Sequence, residues 1–252
     1  MIQHEIWQAL QAGEALVYGH RGAKAYAPMN TLAAFELAAE QGAHGIELDV
    51  HRSADGYPVI LHDFTVDHTT NSTGDIRQMT LAHIKSLDAG SWFSPQFAGA
   101  QIPTLDEVFE SVGRRLFINV EIKSESLETD GVEQVVADCI RRHAMGGRVI
   151  VSSFNPHALR RFHALMPTVP LGYLTFPAYL PELGVLDDLA YHAYHPHHES
   201  ITPELVAQHA EQGHILNTWT VNDPVRAVTL RDWGVRGIIT DNPDTVLAAL
   251  RA

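Results

Sequence analysis

Short runs rich in β-branched residues alternate with longer stretches whose apolar positions recur at helical spacing. The short runs are ALVYGH, GIELDVHRS, LFINVEIK, RVIVSS, VPLGYL, LAYHAYH, HILNTWT and VRGIIT. Between them lie TLAAFELAAEQG, TLDEVFESV, GVEQVVADCIRRHA, PHALRRFHALM, TPELVAQHAEQG, DPVRAVTLRDWG and NPDTVLAAL. Several of these helical stretches open on Thr, Asp or Asn, whose side chains satisfy the free N–H groups of a first turn. Eight strands, most followed by a helix, predict an α/β fold: a (β/α)8 TIM barrel forming a single domain over residues 1–252. The fifth unit is the weakest, because LTFPAYLPELG is broken by proline and has room only for a short turn.

One stretch departs from the rhythm. Residues 54–102, from Ala54 to Ile102, separate the second strand from its helix. They begin within a hairpin, HRSADGYPVILHD, whose Asp55-Gly56 pair is a strong turn signal. Beyond it the chain is turn-rich, with one short helix over Leu81 to Leu87. A structureless loop of this length would be unusual, so an inserted cap subdomain is expected.

Alternate strand residues face opposite sides. Ile46, Leu48 and Val50 make one apolar row, and Glu47, Asp49 and His51 the opposite one. The next barrel strand repeats this, with Ile118, Val120 and Ile122 opposed to Asn119, Glu121 and Lys123. Helices cover a barrel's outside, so the polar rows should point inward, near the strand ends where such folds carry their active sites. His20 and Arg21, in VYGHRGA, and His62, in PVILHD, follow apolar runs in the same way.

Two carboxylates ~4 Å apart repel by about 4 kcal/mol at an effective dielectric of 20. Three converging carboxylates would cost on the order of 12 kcal/mol, comparable to the stability of a whole domain. Ion pairs with Arg21, Arg52 and Lys123 are one remedy and a hard divalent cation is the other. Oxygen-only ligands point to Mg²⁺, Ca²⁺ or Mn²⁺ rather than Zn²⁺.

Composition narrows the picture. At 252 residues and 45% hydrophobic, the chain can bury a large core. A net charge of −13 argues against nucleic-acid or anionic-membrane partners, so positive charge for an anionic substrate must be local. Cys139 is the only cysteine, which excludes an intrachain disulfide and fits a core position. The first residues lack the basic and apolar regions of a secretory signal, and no stretch approaches the ~18 apolar residues of a membrane span. A soluble, cytoplasmic protein is expected.

Together HRGAKAYAPMNT, GIELDVHRSADGYPVILHD, VEIK, NTWTVND and GIITDNPD resemble the glycerophosphodiester phosphodiesterase family over essentially the whole chain. The resemblance implies a barrel with an insertion after its second strand. It also implies metal-dependent hydrolysis of small-molecule glycerophosphodiesters to sn-glycerol 3-phosphate and an alcohol. Residue by residue it implies metal ligation by Glu47, Asp49 and Glu121, acid–base roles for His20 and His62, and phosphate contacts from Arg21 and Lys123. Met29 departs from the pattern: the family carries Glu there, PENT where this chain has PMNT.

On this reading His20 is the base and His62 the acid. The nucleophile is either water or the substrate's glycerol 2-hydroxyl. Trp219, at the end of the seventh strand, is a candidate substrate contact. YHAYHPHHE carries four histidines and reads as a strand-to-loop junction on the rim in preference to a metal cluster. Asp241 and Asn242 read as caps of the last helix. Two other functions stay open: a lysophospholipase D-like activity, for which Trp92, Phe93 and Phe97 could form an apolar entrance, and phosphodiester binding without turnover.

Overall fold

The computed structural model describes residues 4–177, 179–184, 186 and 188–252, with the side chain of Glu182 left aside. Eight parallel strands close into a barrel: β1 (Leu16–His20), β2 (Gly45–Arg52), β4 (Phe117–Ile122), β5 (Val149–Ser153), β6 (Leu171–Thr175), β7 (Ala193–Pro196), β8 (Ile215–Thr218) and β9 (Gly237–Thr240). Closure comes from β1 pairing with both β2 and β9. The ninth strand, β3 (Pro58–Ile60), runs antiparallel to β2 as the second arm of the expected hairpin.

Helices α2 (Leu32–Glu40), α4 (Leu105–Val112), α5 (Val132–Arg142), α6 (Pro156–Leu165), α7 (Pro203–Glu211), α8 (Pro224–Trp233) and α9 (Pro243–Arg251) follow the helical stretches of the sequence. Thr31, Thr104, Asn155, Thr202 and Asp223 accept backbone N–H groups at the starts of α2, α4, α6, α7 and α8. Asn242 stands at the start of α9 without such a bond, contrary to the capping role expected of it. Among the described residues between β6 and β7 there is only a 3₁₀ turn, Pro181–Leu183, as the prolines require.

The apolar rows of β2 and β4 face outward, as the alternation predicts. Ile46, Leu48, Val50, Ile118, Val120 and Ile122 share one buried cluster with Phe35 of α2, Val108 of α4, Cys139 of α5 and Phe162 of α6. Helix α1 (Glu5–Gln11) was not expected. Its Ile6, Trp7 and Leu10 pack on Tyr18, Ile150 and Ile239, residues of the strands, and these apolar contacts explain why so short a segment holds a helix.

Within the insertion, Val59, Val66, Ile76, Ile84, Leu87 and Ile102 form a separate apolar cluster around the short helix α3 (Leu81–Ile84). Among the described residues no helix is long and apolar enough to cross a membrane.

Candidate active site

Register brings the polar rows level with one another. His20 stands beside Glu47, Glu47 beside Asn119, and Asp49 beside Glu121 on adjoining strands. The three carboxylates are buried, and each turns an oxygen to within 4.8 Å of the others. The HRG turn sits directly above them. Arg21 and Gly22 both adopt positive φ, 53° and 86°. At Gly22 a Cβ would lie within 2.7 Å of the Ala34 backbone, so no other residue fits. This bend aims the Arg21 backbone N–H at Glu47 Oε2, 3.1 Å away, and brings its Nε to 3.3 Å from Asp49 Oδ2.

The ion-pair and metal readings turn out to be compatible. Lys123 Nζ donates to Glu121 Oε1 at 2.8 Å and lies 3.4 Å from Asp49 Oδ1. Asn30, which sequence reasoning missed, donates to Asp49 Oδ2 at 2.9 Å. Three carboxylates against Arg21 and Lys123 leave a net charge of −1, so the bare three-charge repulsion overstated the cost.

Burial opposes the charge on Asp49, but Lys123, Arg21, His62 and the Asn30 bond outweigh it and hold this carboxyl well below the usual range. Burial likewise opposes the charge on Lys123, yet Glu121 and Asp49 raise its pKa above the ordinary ammonium value. Glu47 goes the other way: burial, then Asp49 and Glu121, push it well above the usual carboxylate range. Converging hard oxygens with residual negative charge fit a divalent ion.

Two histidines flank this cluster, each backed by an aspartate. His20 Nδ1 lies 2.6 Å from Asp241 Oδ1, and its Nε2 lies 4.0 Å from Glu47 Oε2. Asp241 is held in turn by Asn222, which donates to its Oδ2 at 2.9 Å and accepts its backbone N–H at 2.9 Å. Asp241 is thus the orienting partner of His20, not a helix cap. Burial lowers the His20 pKa to about 4, with the Asp241 bond acting against that shift, so the ring is neutral near pH 7.

The hairpin delivers the other histidine: Leu61 N–H bonds Asp49 O at 3.1 Å, and His62 follows. His62 Nδ1 lies 2.6 Å from Asp63 Oδ1, and His51 Nε2 approaches the His62 carbonyl at 3.3 Å.

His20, Arg21, Glu47, His62, Glu121 and Trp219 line one cavity of about 50 Å³ at the barrel mouth. Asp49 and Lys123 flank it through their bonds to Arg21 and Glu121. Trp219 faces this cavity while its Nε1 donates to His195 O at 3.0 Å. Met29 does face Arg21: its sulfur accepts from Nη1 at 3.3 Å, a weak acceptor at the position of the family's carboxylate.

Other candidates fall away. His195 is buried inside the barrel against Asn217, and among the described residues the YHAYHPHHE histidines gather no third metal ligand. Asp106, Cys139 and His143 do converge, but Asp106 Oδ1 already accepts two bonds from Arg142 and one from His143. Trp92, Phe93 and Phe97 stack edge-on upon one another, and none lines the cavities at the mouth. From the insertion Phe64 does so instead.

The sequence pattern of the glycerophosphoryl diester phosphodiesterase family matches residues 20–245, a span that holds every one of these residues. The chain belongs to this family. A glycerophosphodiester phosphodiesterase of Caldanaerobacter subterraneus subsp. tengcongensis is 41% identical over 94% of this chain and 98% of its own length. One of Bacillus subtilis is 32% identical over 93% and 86%. A phosphodiesterase of Oleispira antarctica, solved in complex with its product sn-glycerol-3-phosphate, superposes with a TM-score of 0.84. It is 31% identical and matches 96% of this chain and 99% of that one.

Proposed function

We propose that the chain hydrolyses glycerophosphodiesters to sn-glycerol 3-phosphate and an alcohol, with His20 as base, His62 as acid and a divalent cation held by Glu47, Asp49 and Glu121. The observation that carries this reading is the pair of His–Asp couples, each 2.6 Å between partners, set about one carboxylate cluster in one cavity. A bound Mg²⁺, Ca²⁺ or Mn²⁺ supplies charge stabilisation for the phosphoryl oxygens.

The protein's own groups do the rest. Neutral His20 donates Nδ1–H to Asp241, which leaves the Nε2 lone pair to take the nucleophile's proton. Asp241, itself clamped by Asn222, steadies the imidazolium that results. His62, oriented by Asp63 through Nδ1, presents an Nε2 proton to the departing alkoxide. Water and the glycerol 2-hydroxyl both offer an O–H suited to His20. The second route passes through a cyclic phosphate, which water then opens. Arg21, with an Nε whose only near partner among the described residues is Asp49, adds positive charge toward the phosphate, and Lys123 does so from behind Glu121.

Residues 54–102 act on this reading as a cap subdomain, a view supported by their separate apolar cluster and by His62 at the hairpin's end. Release of glycerol 3-phosphate from glycerophosphocholine, followed by an enzyme-linked assay, tests the function. No release from any glycerophosphodiester, with each of the three ions supplied, would overturn it.

A further inference from the structure

Opposite the charged cluster, the barrel mouth is walled by aromatic rings that the proposed chemistry does not use. Phe154 follows β5, Phe176 and Tyr179 follow β6, and Trp219 follows β8. Phe154 packs against Tyr179 at 4.7 Å between ring centroids and against Trp219 at 5.5 Å, and Phe176 lies 6.0 Å from Trp219. The four rings thus form one continuous curved wall. Buried core aromatics would need no explanation, but Phe176 is 46% exposed and Tyr179 43% exposed.

Phe154, Phe176 and Tyr179 line a cavity of about 350 Å³ that shares Phe154 and Leu174 with the smaller catalytic cavity of about 50 Å³, which Trp219 lines. The shared residues leave one end of a diester whose phosphorus lies at the carboxylates room to reach the rings. A further crevice joins the wall to the carboxylates, lined by Phe154, Tyr179, Glu121 and Lys123, with exposed Glu125 at its edge. Lys123 does not make this crevice cationic, because Glu121 and Asp49 hold its ammonium.

We infer that this wall, with Glu125, is the subsite for the leaving alcohol and that it favours an alcohol bearing a quaternary ammonium, as in a choline ester. The inference rests on the phosphodiesterase reading above. Ring faces carry negative electrostatic potential, so neighbouring rings that line one cavity attract a weakly hydrated cation. Glu125 forms no ion pair among the described residues, although the Arg77 charge acts on it, and it adds to that attraction. The protein's net charge of −13 favours the approach of a positive group. A neutral polyol gains from none of these features, and an anionic headgroup is repelled by them.

The test compares two substrates of one shape. Glycerophosphocholine and its uncharged isostere, the glycerophosphodiester of 3,3-dimethylbutanol, differ only in a nitrogen replaced by carbon. Release of glycerol 3-phosphate from each gives kcat/KM. The expected preference for the choline ester is about tenfold, the size of a desolvated cation–π contact. The ratio should fall toward one in Tyr179→Leu and in Glu125→Gln. A wild-type ratio near one overturns the inference, as does a ratio that neither variant changes. Faster cleavage of lysophosphatidylcholine than of either ester would assign the wall to an acyl chain and overturn it as well.

Should no ester release glycerol 3-phosphate, the phosphodiesterase reading fails, and choline binding then decides the subsite alone. Saturable quenching of tryptophan fluorescence by choline, but not by 3,3-dimethylbutanol, would sustain it, and no quenching by choline would overturn it.

Discussion

The two sides of the barrel mouth are built on opposite principles. On the β1, β2 and β4 side, charges of opposite sign converge: Glu47, Asp49 and Glu121 with Arg21 and Lys123, with His20 and His62 at the margin. On the β5, β6 and β8 side, Phe154, Tyr179, Phe176 and Trp219 stand as half-exposed rings with few polar bonds. The first side is fixed by hydrogen bonds whose loss strands a buried charge. The second is held by ring contacts, each worth about 0.5–1.5 kcal/mol beyond its buried area. Changes on the charged side should therefore lower kcat steeply, whereas changes on the aromatic side should re-rank substrates.

The largest effect should come from the histidines. His20→Ala or His62→Ala is expected to lower kcat by roughly 10²-fold or more, with the thermal melt little changed. Steady-state kinetics on glycerophosphocholine checks this. A variant retaining wild-type kcat would remove that histidine from the reaction and leave the charged side without its acid or base.

A smaller loss should follow at Asp241→Asn. The amide can still occupy the pocket beside Asn222, but it cannot stabilise the His20 imidazolium, so kcat should fall by about 10-fold or more while KM holds. If KM rises instead and kcat is kept, Asp241 only shapes the pocket.

The smallest effect belongs to Met29→Glu. The variant should replace the weak sulfur acceptor of Arg21 with a carboxylate and raise the cluster's charge from −1 to −2. Metal titration should show tighter binding, up to about tenfold for 1.4 kcal/mol realised. Weaker binding with slower turnover would show that the present balance suits Met29.

The charged side was largely legible in the sequence because strand alternation assigns each polar residue a face without reference to distant contacts. Glu47, Asp49 and Glu121 converge for that reason, and the hairpin turn at Asp55-Gly56 accounts for His62. Asp241 was not legible. Its partner His20 lies 221 positions away, and TDNPD before a helix reads equally well as a cap. Asn30 was hidden in the same way, since nothing local says that an amide in a turn will reach Asp49. Barrel closure makes both pairings.

The aromatic side was less legible still. Trp92, Phe93 and Phe97 drew notice as a cluster of large apolar residues, yet they satisfy one another within the insertion. Phe154 and Tyr179 stand singly in loops, where sequence alone cannot separate a packed ring from an exposed one. The N-terminal helix was missed because its stability comes from Tyr18, Ile150 and Ile239, which sequence alone does not place beside it.

The most direct test of the account is metal dependence of glycerol 3-phosphate release. Three convergent carboxylates set against only two cationic side chains, Arg21 and Lys123, predict that exhaustive chelation abolishes release. Adding back Mg²⁺, Mn²⁺ or Ca²⁺ should restore it. Turnover undiminished after chelation would mean that the carboxylates serve only as partners of Arg21 and Lys123, and the charged side would have to act without an ion.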